Sequence, residues 1–245
     1  KDTVENHSKI LVSWRDLNYL LKKKGNSKGK REKQKLRNKL LIYFKIILVS
    51  LILISCGKTN KLENVDKILL FGDSLMSGYG LKENQVLSVI LENDLKEAGY
   101  NIKIINGSVS GDTSEDGLDR IEEYTSGDDI DLIVLGLGAN DMLRRINPDQ
   151  TKGNLRKIIE IIKTNNIEII LAGMKASPTS GLAYKKKFDE IFPKLAKEYD
   201  LNLIPFLLKK VALNPKLNQS DGIHPNYEGA KVISETIRES IINLD

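Results

Sequence analysis

Lys67-Ile68-Leu69-Leu70-Phe71-Gly72-Asp73-Ser74-Leu75 decides how this chain is read. Residues 68–71 form an uninterrupted apolar run that stops at Gly72, the pattern of a short strand buried on both faces. Asp73 and Ser74 follow at once, so a hydroxyl stands where a strand ends and a helix is about to begin. Working outward, similar runs recur at 102–105, 132–137, 167–172 and 201–204. Helical spacing fills the gaps. Val86, Leu87, Ile90 and Leu91 lead to a helix end at Gly99, and Leu155, Ile158, Ile159 and Ile162 follow a helix start at Asn147-Pro148. Tyr184, Phe188, Ile191, Phe192, Leu195 and Tyr199 form a third stripe, expected to kink or break at Pro193, and Val232, Ile233, Ile237 and Ile241 a fourth. These apolar stripes read as core rather than as a cofactor site.

Strands alternating with helices predict an α/β fold: a three-layer α/β/α sandwich around a flavodoxin-like five-stranded parallel sheet, order 2-1-3-4-5. In such sheets a site forms beyond the carboxyl ends of the strands, beside strand 1. The polar and Gly-rich clusters obey this rule. Gly72-Asp73-Ser74 follows the first strand, 106–114 the second and 136–141 the third, while 221–224 comes after the fifth by a longer connection.

Charge divides the chain. Fourteen of the 38 Lys and Arg but four of the 33 Asp and Glu lie in residues 1–55, so the remainder carries 24 basic against 29 acidic groups. The globular part is acidic, and the overall basic balance gives no reason to expect a nucleic-acid partner. Residues 1–55 read as a basic preface and signal peptide, because a Lys/Arg-dense stretch precedes an apolar core of about ten residues, too short to span a bilayer. Leu53-Ile54-Ser55-Cys56 resembles the bacterial lipobox, which implies a lipidated Cys56, a membrane-anchored N-terminus and a cell-envelope location. Residues 56–66 read as a tether and 67–245 as the α/β domain. The preface is long for a signal peptide and no Met precedes Met76, so translation is expected to begin near Leu36 or Leu40. Cys56 is the single cysteine and lies outside the domain, whose single histidine is His224, so neither an intramolecular disulfide nor a zinc site is expected, and no cofactor.

Acyl transfer needs a nucleophile, a base, an orienting group and donors for the oxyanion. Ser74 supplies the hydroxyl, and a hydroxyl needs a base within hydrogen-bond reach. His7 lies in the preface, which leaves His224. Asp221 precedes it by three residues, a spacing that places both side chains on one side of a turn. The Ser74 N–H, the Gly111 N–H and the Asn140 amide are the candidate oxyanion donors, Gly111 because a backbone without a side chain can approach closely. Each block alone is weak; four in order, each after a strand, are a strong signal.

The blocks G-D-S-L at Ser74, Gly111, G-A-N-D at Asn140 and D-G-I-H-P at Asp221 and His224 resemble the SGNH (GDSL) hydrolase family. The similarity is closest to its thioesterase I, lysophospholipase L1 and arylesterase branch, through 105–114, 192–200 and 220–226. The resemblance implies a serine carboxylic-ester hydrolase that forms an acyl-Ser74 intermediate on a small acyl-ester substrate. Residue Met76 stands where the G-x-S-x-G elbow of α/β-hydrolases needs Gly, which separates the two groups. The lipobox departs from soluble relatives, and a surface lipoprotein would not meet cytosolic thioesters. Residues 174–182 are expected to border the acyl groove. Two other readings are an O-acetyl glycan deacetylase on the same fold and a non-catalytic solute-binding lipoprotein. The second needs neither an intact Ser nor an intact His.

Overall fold

The computed structural model describes residues 34–42, 61–127 and 130–244. The chain divides into two compact units, Lys1–Thr59 and Asn60–Asp245. In the first, residues 34–42 form an exposed helix. Most of the apolar signal core, the 53–56 lipobox with Cys56, and the first part of the tether lie outside the described residues. Among the described residues no helix is long and apolar enough to cross a membrane.

The second unit is built on five parallel strands in the order β2-β1-β3-β4-β5, as the alternating pattern predicts. They are β1 (Lys67–Gly72), β2 (Lys103–Asn106), β3 (Leu132–Gly136), β4 (Glu168–Ala172) and β5 (Asn202–Ile204). Ile68, Leu69, Leu70 and Phe71 have no exposed surface, because β1 lies inside the sheet with helices over both faces. Each such side chain contributes about 1.5–3 kcal/mol on burial. Among the described residues of the unit, eight α-helices cover it: α1 (Ser74–Ser77), α2 (Leu87–Glu97), α3 (Ser114–Thr125), α4 (Ala139–Leu143), α5 (Pro148–Thr164), α6 (Leu182–Asp189), α7 (Ile191–Tyr199) and α8 (Tyr227–Ile242). In one layer α2 packs on α8; in the other α3 packs on α5, and α5 on α6 and α7.

Three local details differ from the sequence reading or refine it. The domain starts before residue 67: Leu62 and Val65, placed in the tether by composition, are buried in the core. The Tyr184–Tyr199 stripe breaks at Glu190 rather than at Pro193. Pro193 sits in the first turn of α7, where its missing N–H costs nothing, while its ring stops any helix that would need the Asp189 carbonyl four residues earlier. Asn147 caps α5 through its side chain, with Pro148 as the first helical residue, as expected.

Candidate active site

β1 delivers the nucleophile candidate. Asp73 caps the single turn α1, its Oδ1 accepting the Leu75 N–H at 3.0 Å, and Gly78 ends the turn in the left-handed region. The turn is anchored by Met76, which is fully buried over Gly72 and Gly136, neighbours across β1 and β3. A Cβ on Gly72 would come within 2.6 Å of Met76 Sδ, and one on Gly136 would overlap the same sulfur. The two glycines leave the hollow into which the Ser74 turn is seated.

The loop after β5 brings the other two groups. Ser74 Oγ lies 3.0 Å from His224 Nε2, and His224 Nδ1 lies 2.7 Å from Asp221 Oδ2. The second Asp221 oxygen accepts the N–H groups of Ile223 at 2.9 Å and His224 at 3.0 Å. The His224 contact and these backbone donors hold the Asp221 carboxyl down at about 2, so it is ionised at neutral pH. An ionised carboxylate accepts only, which puts the imidazole proton on Nδ1 and turns the Nε2 lone pair toward Ser74. Gln219 ties the two loops together by donating to the carbonyls of Tyr79 (2.8 Å) and Pro225 (2.9 Å). The Tyr79 ring covers His224, with ring centroids 4.4 Å apart.

Gly111 and Asn140 stand on the adjoining loops. Gly111 is at φ 94°, a conformation that excludes most other residues, and a Cβ there would meet nothing closer than Arg144 Nη2 at 3.9 Å. Within the protein, backbone conformation rather than lack of room requires this glycine. Asn140 Nδ2 donates to the Asp112 carbonyl at 2.9 Å, which joins α4 to the Gly111 loop and leaves the second amide proton for another acceptor. Among the described residues the Ser74 and Gly111 N–H groups donate to no other group.

Several supporting residues carry no signal that their type reveals. Arg120 of α3 donates to Asp112 Oδ2 at 2.6 Å, to Gly107 O at 2.5 Å and to Gly72 O at 3.2 Å, and its guanidinium lies 4.0 Å from the Phe71 ring centroid. It thereby locks the Gly111 loop to the end of β1. Asp141, beside Asn140, is fully buried and accepts from Ser114 N (2.8 Å), Ser114 Oγ (2.5 Å) and Thr151 Oγ1 (2.9 Å). Asp73 Oδ2 is buried with no hydrogen-bond partner among the described residues. Burial, and then the charges of Asp141 and Asp112, raise the Asp73 carboxyl to about 7 against the opposing Leu75 hydrogen bond.

With this geometry, sequence comparison decides the family: the GDSL-like lipase/acylhydrolase family matches residues 70–232. The chain belongs to that family. It is 34% identical over 197 residues to an arylesterase of Vibrio mimicus, covering 80% of this chain and 98% of the relative. It is 35% identical over 176 residues to thioesterase 1/protease 1/lysophospholipase L1 of Escherichia coli K12, covering 72% of this chain and 83% of the relative. The crystal structure of AlinE4, an SGNH-hydrolase family esterase, is 41% identical with a TM-score of 0.63, covering 72% of this chain and 95% of that one. As a GDSL-family member the chain is a carboxylic ester hydrolase, and the five-stranded sheet is the fold its relatives share.

Proposed function

We propose that Ser74, His224 and Asp221 are the nucleophile, base and orienting group of acyl transfer to water. The observation that carries this is the unbroken chain of contacts from Asp221 Oδ2 through both imidazole nitrogens to Ser74 Oγ. Ser74 Oγ attacks the ester carbonyl as its proton passes to His224 Nε2. The tetrahedral oxyanion is held by the N–H groups of Ser74 and Gly111 and by the Asn140 amide. His224 then gives its proton to the departing alcohol oxygen, which leaves acyl-Ser74. Water repeats the sequence: its proton goes to His224, its oxygen to the acyl carbon, and Ser74 leaves reprotonated. Asp221 stays ionised throughout and stabilises the imidazolium.

The substrate is an ester of a single acyl chain. This draws on the names of the arylesterase and lysophospholipase relatives. It also draws on exposed apolar residues of the segments that carry the catalytic groups, Tyr79, Val109 and Ile223 on the loops and Leu143 at the end of α4, a surface on which a flexible chain can lie. A p-nitrophenyl ester series from acetate to palmitate, run on wild type and Ser74→Ala, tests the reading. Turnover across several chain lengths that vanishes in the variant supports it; turnover that survives the substitution rejects it.

The same reading includes a lipid anchor at Cys56, supported by the basic flank, the short apolar core and the residues Leu53-Ile54-Ser55 before it. Cys56→Ser should move the protein from the membrane fraction to the soluble fraction and abolish incorporation of labelled palmitate. Unchanged labelling would refute the anchor and leave the esterase reading intact.

A further inference from the structure

Arg145 closes α4, the five-residue helix that carries Asn140, and does so at φ 57°. Ile146 N–H donates to Asp141 O at 2.9 Å and Arg145 N–H to Met142 O at 3.2 Å, the bond pair that ends a helix through a left-handed residue. That position favours Gly, then Asn, because a Cβ crowds the neighbouring carbonyl there. The chain follows this preference at two equivalent ends, with Gly99 after α2 and Asn166 after α5. An arginine after α4 therefore has no backbone reason.

Its side chain supplies one. Nη1 donates to Ser180 O at 2.5 Å and Nη2 to Thr179 O at 3.1 Å, while the guanidinium lies 5.8 Å from the Tyr184 ring centroid. Tyr184 in turn donates its hydroxyl to Ile146 O at 3.0 Å. The end of α4 and the 179–184 segment thus hold each other reciprocally. A five-residue helix has no stability of its own, so its position is set by what grips its two ends. The Asn140–Asp112 hydrogen bond holds the first end, the buried Asp141 network holds the middle, and Arg145 grips the second end.

We propose that Arg145 is a positioning residue for catalysis: it locks α4, and with it the Asn140 amide, against the turn at 179–180. The strained backbone is retained for the guanidinium fork it presents. This rests on the reading of Asn140 as an oxyanion donor.

Arg145→Gly relaxes the backbone and removes the fork, so the two effects separate. With p-nitrophenyl butyrate, kcat should fall about 10-fold with KM changed less than about 2-fold, since the donor acts on the transition state. Tm should stay within about 3 °C of wild type, because relief of strain offsets the lost bonds. Arg145→Lys, which keeps the charge but not the fork, should fall between. In an Asn140→Ala background the same substitution should cost less than about 2-fold, since the residue acts through that amide. Amide hydrogen exchange over 141–146 and 179–182 should quicken together in Arg145→Gly. Unchanged kcat, a full loss persisting without Asn140, a loss of kcat that tracks a fall in Tm, or unaltered exchange would each overturn the proposal. Full turnover in Asn140→Ala alone would remove the oxyanion reading and this inference together, whereas the other outcomes strike only Arg145.

Discussion

His224 Nε2 stands 3.0 Å from Ser74 Oγ although 150 positions separate the two residues. The contact exists because β1 sits inside the sheet and the loop after β5 returns along the carboxyl edge to reach it, held there by Gln219 between the Tyr79 and Pro225 carbonyls. Ser74→Ala and His224→Ala should each lower kcat by about 10⁴- to 10⁶-fold, because members of such a unit fail together. The double variant should be scarcely worse than either single one. Circular dichroism and Tm should stay near wild type, since neither side chain belongs to the core. Multiplicative losses in the double variant would show that the two act independently and would defeat the mechanism.

In the proposed mechanism Asn140 adds a separable contribution. Its amide already gives one proton to the Asp112 carbonyl, so the nitrogen is fixed before substrate arrives. Asn140→Ala should reduce kcat about 10²- to 10³-fold with little change in KM, the effect of losing one fixed oxyanion donor. Steady-state kinetics on a single p-nitrophenyl ester decide it. A rise in KM with kcat preserved would instead make Asn140 a ground-state binding residue.

Met76 and Gly136 define how deeply the Ser74 turn is seated. Gly136→Ala places a methyl group on the Met76 sulfur and should destabilise the domain by about 1–3 kcal/mol. Met76→Ala alone should cost about 2–5 kcal/mol by leaving a cavity. The combination should cost clearly less than the sum of the two, because the added methyl group occupies part of the emptied space. Urea unfolding of the four proteins measures the coupling, and strict additivity would show that the sulfur does not press on Gly136.

How much of this was legible in the sequence depended on whether a residue acts by type or by reach. The strand at 68–71 was legible because four consecutive apolar residues bounded by glycine have few other fates. His224 was legible because it is the single histidine of the domain, and Ser74 and Asp221 were legible by position, one at the end of the first apolar run and the other three residues before that histidine. Arg120 was not, since one arginine on an amphipathic helix looks like a solvated residue, and only the fold brings it onto Asp112, Gly107 and Gly72. Asp141 lay within a quoted block yet had no assigned task, because its donors come from α3 and α5, 27 and 10 residues away. Arg145 was hidden for a different reason: no local rule predicts arginine at a left-handed helix end.

Asp73 gives the chain a stability that depends on pH. Its carboxyl sits at about 7 in the folded protein against 3.8 ordinarily, chiefly because burial disfavours the charged form. Between these values the folded state holds a proton that the unfolded state has released, so stability falls as pH rises through the window. Above the folded value the penalty is constant, and a shift of this size corresponds to about 4 kcal/mol. Asp73→Asn keeps an oxygen to accept the Leu75 N–H but cannot ionise. The variant should therefore be the less favoured partner at pH 4, where wild type is neutral at this site, because its amide N–H groups are buried without an acceptor. The stability difference should then move in its favour by up to about 4 kcal/mol on going to pH 8. Urea unfolding of both proteins at pH 4, 6 and 8 reads the change directly. A difference that stays flat across that range would mean that Asp73 does not titrate there and that the orphaned oxygen is satisfied in solution, for instance by a buried water.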